Sequence, residues 1–326
     1  ILVKPTGTLQ IGTEARPHAQ RATIILTGNL TQESGGFGAK VIGVEGTLDL
    51  HGETRTTWLR LARSATAGAT SIELERSAGW RAGERIVLAS TDFDPTQAEE
   101  AVIATASGST VTLTAPLRFA HYGDVQTVAG VRVDERGEVG LLSRNIVIRS
   151  ADPVVNGEGG HLMFISGSTI RVEGIEVFQM GQKARLARYP IHWHMMGDVT
   201  GHYVRNVAVW KTFNRCITVH GTNQVVLQGN VCYDHLGHGY FLEDGGERGN
   251  VFRENLGLST KRPATGEAIL GSDSRPSTFW ITNPDNSYLG NVAAGSAGIG
   301  FWIALPAAPT GLSTGQVSFP RRTPLR

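Results

Sequence analysis

Cysteine is nearly absent from this sequence: Cys216 and Cys232 are the only two among 326 residues. So sparse a set excludes a disulfide-built mini-scaffold and a cysteine-based zinc module. The pair reads as buried thiols in preference to a single bridge between neighbouring coils, because a disulfide scaffold would use many more. A surplus of charge is missing as well. The chain carries 30 basic and 29 acidic residues, a formal net charge of +1. That balance argues against a nucleic-acid partner, although clustered Arg can still meet an acidic polymer. No apolar run approaches the roughly 20 residues needed to cross a membrane. An export signal is not seen either, and because the chain opens on the strand-like Ile1-Leu2-Val3, such a leader would lie upstream. Helical periodicity is scarce: few windows place apolar residues at i, i+3, i+4 and i+7.

What is abundant is glycine, 41 residues of it, and short β-branched runs bounded by Gly, Asn and Asp. Thr23–Leu26, Arg85–Leu88, Thr110–Leu113 and Asn145–Ile148 read as strands separated by turns. The second half repeats. The segments 170–177, 203–209, 226–231, 251–257 and 287–293 each run as a short strand to a Gly or Asn, followed by an apolar residue. Asn206, Asn230, Asn255 and Asn291 recur at the spacing of one solenoid coil. Asn suits such a bend, since it tolerates left-handed backbone angles and its amide can bond the Asn of the next coil. The expected fold is all-β, a right-handed single-stranded parallel β-helix with an inserted small β-barrel-like subdomain. Residues 1–125 form a glycine-rich β domain with the insertion at about 57–122, and residues 126–326 form the β-helix. The chain ends at Pro324-Leu325-Arg326 without an evident cap, so truncation at both ends is expected.

Histidine concentrates between 192 and 238, and that density is the main chemical signal. With the recurring Asn as register mark, His194 lies 12 residues before Asn206 and Glu243 lies 12 before Asn255. His220 lies 10 before Asn230, a difference that a two-residue bulge absorbs. The three then share one column on successive coils, where strands stack about 4.8 Å apart. By alternation Val219 and Leu242 face the core, and His192, His194, His220 and Glu243 face outward. Two imidazoles and a carboxylate at one point can hold a divalent metal, zinc or another transition ion by ligand type. They can equally act as a metal-free acid, base and orienter, or form a structural ladder. His238 is a further candidate ligand, and His235, Asp234 and Asp244 candidate supports; His161, a coil earlier, reads as structural. The candidate catalytic residues are His192, Asp198, Asp244, Arg188 and Tyr189. Asp273 is one more carboxylate to weigh as acid or base. Lys183, Arg185, Arg215 and Arg248 are candidate contacts to an anionic sugar polymer, as guanidinium pairs bidentately with carboxylate. Trp280 is a candidate sugar-stacking ring, with core packing as the alternative.

The segments 188–194, 215–221, 237–245 and 277–284, with 138–146 and 293–302, resemble the cell-migration-inducing hyaluronidase family. The glycine-rich first part resembles the domain named for eight glycines. The resemblance implies a glycine-rich β domain leading into parallel β-helix repeats. It further implies extracellular or cell-surface work on hyaluronan, by binding or depolymerisation, with calcium required. Family members carry Cys where Gly239 stands here, so any role of that Cys is absent. The composition, rich in Ala, Arg and Gly, has a bacterial cast, which leaves the polymer open. Calcium prefers oxygen ligands, and a His-His-Glu column does not offer them. The functional expectation is a metal-assisted, hyaluronidase-like glycosidase acting on an anionic glycosaminoglycan. A polysaccharide lyase and a non-enzymatic binding module are the alternatives.

Overall fold

The computed structural model describes residues 1–316 and is a parallel β-helix of three walls. The first wall stacks eight parallel strands: Leu2–Val3, Val41–Val44, His161–Phe164, Ile191–Asp198, Ile217–Asn223, Tyr240–Leu242, Ser277–Ile281 and Ile299–Ile303. The second wall has seven, from Thr8–Ile11 to Ser287–Leu289, and the third has seven, from Ala22–Leu26 to Val292–Ser296. Each coil contributes one strand to each wall in chain order, so the repeat in the sequence is the coil. Inward-facing Leu48, Ile148, Phe164, Ile170, Trp193, Val219, Leu227, Leu242 and Phe252 are all buried and form one continuous core. Alternation sends every second side chain inside, and burial of each such Leu, Val or Phe contributes about 1.5–3 kcal/mol.

At the corner between the second and third walls the chain leaves the solenoid. Six antiparallel strands, beginning with Trp58–Arg60 and ending with Glu138–Leu141, form a separate sheet. Its edges meet: Leu61 pairs with Leu74, and the Ala62 amide donates to the Glu73 carbonyl at 2.8 Å. The sheet therefore closes into a small barrel with its own core of Leu59, Ile72, Leu88, Ile103, Val111 and Leu141. Its closing strand lies beyond residue 122, past a hairpin of Val125–Val128 and Val131–Asp134. Turn residues near 122 look like an exit, but only Glu138–Leu141 supplies the partner that Trp58–Arg60 and Arg85–Leu88 both need. The barrel rests on the outer face of the third wall, where Val87, Ala89 and Leu142 pack on Ala208, Trp210, Val231, Tyr233 and Leu256. That wall is apolar on both faces because both are covered.

Two sequence readings need correction. Cys216 and Cys232 are joined, with Cα atoms 6.1 Å apart. The bridge spans the interior of one coil, from the approach to the first wall to the third wall, and does not link neighbouring coils. Sparse cysteine excludes a disulfide scaffold but not a single staple, because the solenoid bends two points 16 residues apart to within bonding range. Asn206 is the other. Arg205 pairs with Gln228, which puts Asn206 opposite Gly229 and Val207 opposite Asn230. The Asn ladder proper is Asn230, Asn255 and Asn291: Asn255 and Asn291 accept the backbone N–H of the Asn one coil before at 3.1 and 3.0 Å, and Asn230 accepts that of Val207 at 3.0 Å. Asn206 instead takes the left-handed position (φ 55°) that Gly229 holds in the next coil.

Candidate active site

The strand Ile191–Asp198 alternates Ile191 and Trp193 into the core with His192 and His194 outward, and Ile217–Asn223 repeats the pattern with Thr218 and His220 outward. His194 is the direct partner of His220, and Val219 of Leu242. The Glu243 amide donates to the Val219 carbonyl at 3.2 Å, which keeps Glu243 in the His220 column. The register absorbs its irregularity at Met195–Met196: His194 opposes His220, but Gly197 opposes Thr222, one extra residue in the first strand. Further residues enter at the turn before Tyr203, so the misplaced Asn206 and the larger offset cancel in the expected column.

Outward here does not mean exposed. His192 and His220 are buried and His194 is half-buried. The three imidazoles offer nitrogen atoms that all lie within 4.8 Å of one another. His194 Nδ1 and His220 Nδ1 are 3.2 Å apart, and the His192 and His220 rings lie parallel with centroids 5.9 Å apart. Two of the rings, His192 and His220, are oriented from behind. The Ala187 carbonyl can only accept, so His192 Nδ1 carries the proton toward it at 3.2 Å, and its buried Nε2 is left with a free lone pair and no partner. Asp244 Oδ2 lies 2.7 Å from His220 Nε2. Asp244 is itself held by the Ser313 amide at 3.1 Å. Glu243 accepts from the Tyr189 hydroxyl at 3.2 Å through Oε1, and its Oε2, buried and without a hydrogen bond, faces His220 Nδ1 at 3.5 Å.

Electrostatics divides the histidines. Burial, then the charge of His220, then that of Arg188, holds His194 down to about 4, so it is neutral. Burial also keeps His192 neutral, reinforced by the other two imidazoles. His220 is opposed by burial too, yet the hydrogen bond to Asp244 and the charge of Glu243 raise it above the usual imidazole range. Burial raises the Glu243 carboxyl, and Asp244 stays low despite burial because it bonds His220. His194, His220, Glu243 and Asp244 line a cleft of about 540 Å³ together with Trp280, Thr282, Leu186, Leu270, Pro306 and Leu312, whereas His192 is fully buried and is not part of its lining.

The remaining candidates are dispersed. His238 is a correction: it is sealed between Phe241 and Trp280, with Ser277 Oγ 2.9 Å from Nδ1 and Ser272 Oγ 3.0 Å from Nε2, and does not join the other histidines. It sits one strand position before Gly239, outside the His220 column, so sequence proximity to Glu243 misleads. Arg215 is also corrected. It is fully buried, pairs with Asp273 at 2.6 Å and packs on Phe241, so it cannot meet a polymer. Burial and the neighbouring Glu243 carboxylate push the Tyr189 phenol far up, and its hydroxyl donates to Glu243. Lys183 is tied to Glu267 at 2.8 Å. Arg185 and Arg248 are exposed, and Arg188 is half-buried over the Cα of Gly38. Asp198 is exposed at the far end of its strand and accepts from Asn223 at 2.7 Å. Glu247 was not anticipated. Fully buried, it accepts from the amides of Gly221, Asp244 and Gly245 at 2.8–3.1 Å and so fixes the loop that presents Asp244. Its only sequence signal is a carboxylate following Gly245-Gly246.

A family model described as CEMIP beta-helix matches residues 157–326, the region that holds the whole histidine cleft. The chain belongs to the CEMIP β-helix family. A G8 domain model matches residues 1–62, where the solenoid begins. Mouse fibrocystin-L is 38% identical across 100% of this chain, which spans 9% of that protein. Human cell surface hyaluronidase CEMIP2 is 34% identical over 77% of the chain and 21% of its own length. The mouse cell migration-inducing and hyaluronan-binding protein is 35% identical over 73% and 21%. The chain thus corresponds to between about a tenth and a fifth of these relatives. Among solved structures, the tailspike protein gp49 from Pseudomonas phage LKA1 aligns with 78% of this chain and 42% of its own at 14% identity, with a TM-score of 0.25. So loose a superposition adds nothing to the fold.

Proposed function

We propose that this member of the CEMIP β-helix family works outside the cell, at the surface or secreted. There it binds and depolymerises an anionic, hyaluronan-type polysaccharide at the histidine cleft. One observation carries the reading: three imidazoles converge within 4.8 Å, two of them (His194 and His220) lining a cleft, beside two buried polar atoms, His192 Nε2 and Glu243 Oε2, that lack hydrogen bonds. A purely structural ladder would satisfy those atoms. Two relatives named for hyaluronan support the substrate class. The Cys216–Cys232 bridge supports an oxidising compartment.

The donor set fits a divalent transition ion such as zinc, held by His192, His194 and His220 with Glu243 as fourth ligand. Calcium prefers six to eight oxygens, and this nitrogen-rich set does not suit it. Such a metal supplies Lewis acidity or an acidified water. The protein's own part is orientation: Asp244 holds the His220 ring, the Ala187 carbonyl holds His192, and Trp280 offers a ring at the side of the cleft to a sugar face. Asp244, pinned between His220 and Ser313, is a positioning residue.

The test is incubation of the purified chain with hyaluronan, with and without added zinc or calcium, followed by size analysis. Shortened chains with zinc support the reading. An unchanged size distribution under every metal condition overturns depolymerisation, and retained binding in that case identifies a non-enzymatic module. An unsaturated product would make the enzyme a lyase.

A further inference from the structure

Residues of the third wall and of the barrel line a second cleft of about 780 Å³, within the roughly 300–1,000 Å³ range of ligand pockets. Arg21, Arg55, Arg81, Arg85, Arg144 and Arg149 line it, against four carboxylates. Some of these charges are matched. Arg55 pairs with Glu84, Arg81 with Glu53, Arg85 with Glu100 and Arg149 with Asp152.

Arg144 is different. It is only 8% exposed. Its Nε donates to the Asn206 carbonyl at 3.0 Å, and Nη1 to the carbonyls of Leu141 and Ser143 at 2.8 and 2.9 Å. Its Nη2 is buried with no partner. The acid that shares its field, Glu176, spends Oε2 on the Arg144 amide and Oε1 on the Trp210 indole, both at 3.1 Å. A buried guanidinium bonded only to carbonyls is costly unless an anion completes it. Beside it the half-buried Phe178 ring packs on the buried Trp210 with centroids 4.2 Å apart and planes tilted by 37°, and the Arg85 guanidinium lies over Trp210 at 5.9 Å.

We propose that this cleft is an anchoring subsite for the carboxylate or sulfate groups of an anionic polysaccharide, separate from the histidine cleft. Arg144 supplies a fixed buried positive charge in the cleft wall, Arg21 and, by exchanging their present carboxylate partners, Arg81 and Arg85 supply adjustable forks, and the half-buried Phe178 ring meets a sugar face. The four lining carboxylates disfavour the dense phosphates of nucleic acid and suit a polymer whose charges are widely spaced. The polymer class rests on the reading of the histidine cleft; the existence of the subsite does not.

The test uses the triple variant Arg21→Ala, Arg81→Ala, Arg85→Ala, three side chains at the open edge, with Arg144→Gln as a second variant checked for unchanged melting. Binding to hyaluronan and to a sulfated glycosaminoglycan is measured by calorimetry at low and high salt, together with cleavage of a short oligosaccharide. The expected result is a loss of about tenfold or more in polymer affinity for the triple variant. Cleavage of the short oligosaccharide is retained. Preference between the two polymers tells carboxylate from sulfate. Wild-type affinity in the triple variant overturns the subsite even if the histidine cleft proves catalytic. Loss of affinity in a protein that never cuts polymer upholds the subsite and sinks the catalytic reading. Tighter binding of single-stranded nucleic acid than of either glycan also overturns it.

Discussion

His220 sits between a carboxylate and an imidazole, and its two nitrogens have different tasks. Nε2 meets Asp244 at 2.7 Å while Nδ1 faces His194 at 3.2 Å. If the cleft holds zinc, Asp244→Asn weakens metal binding about 10–100-fold by loosening the ring that Asp244 orients. His194→Ala removes a ligand and abolishes stoichiometric binding. Calorimetric titration with zinc measures both, and wild-type affinity in Asp244→Asn would remove that residue from the orienting role. Two other buried histidines contribute to the acid response of the fold. Burial pulls His161 down to about 4, against a hydrogen bond to the Phe37 carbonyl, and pulls His235 down to about 3, aided by the charge of Arg215. Both are neutral in the fold and titrate near 6.5 when unfolded. Their contribution is complete above pH 6.5 and is lost as pH falls toward the folded values, because the unfolded chain then binds more protons. Each costs about 2 kcal/mol between pH 6.5 and pH 5. Urea midpoints across that range should fall, and His235→Gln should flatten the slope by about one proton. An unaltered slope in His235→Gln would mean that His235 is not held neutral.

At the level of the element, the bend after the second wall is made by a ladder. Asn255 donates to the Leu227 carbonyl and to Asn291 Oδ1, both at 2.9 Å, while its own Oδ1 accepts from Asn230. Asn255→Ala strands several buried polar groups at once, each worth about 1–3 kcal/mol. A loss of at least about 3 kcal/mol is expected by chemical denaturation, and a loss under 1 kcal/mol would show the ladder to be dispensable. Asn291, half-buried near the end of the stack, should matter less. The period was legible in the residues because the bend admits few side chains. Its phase was not. Asn206 fits the motif as text but occupies the neighbouring left-handed site, where Asn and Gly are interchangeable. The barrel's last strand was missed for a related reason, since antiparallel closure depends on partners far away in the chain.

For the whole molecule, the Cys216–Cys232 bridge ties the third wall to the base of the strand that carries His220. It closes a loop of 16 residues, worth about 3 kcal/mol by chain entropy. Cys216→Ala with Cys232→Ala should lower the melting temperature and loosen the cleft, read as weaker metal binding in the same titration. Full zinc affinity at a lowered melting temperature would confine the bridge to stability.

The sequence alone determined the all-β class, the coil repeat and the column of His194, His220 and Glu243, because each follows from a short-range rule: strand alternation, turn chemistry and rung spacing. Tertiary structure decided which groups share a point and which are sealed away. His192 joins the cluster across a register position, His238 and Arg215 disappear under Phe241 and Trp280, and Glu247 emerges as the cage of the Asp244 loop. Burial and hydrogen bonding at these positions are set by loops that return from other coils. Such contacts depend on three-dimensional closure, which no local spacing of residues encodes.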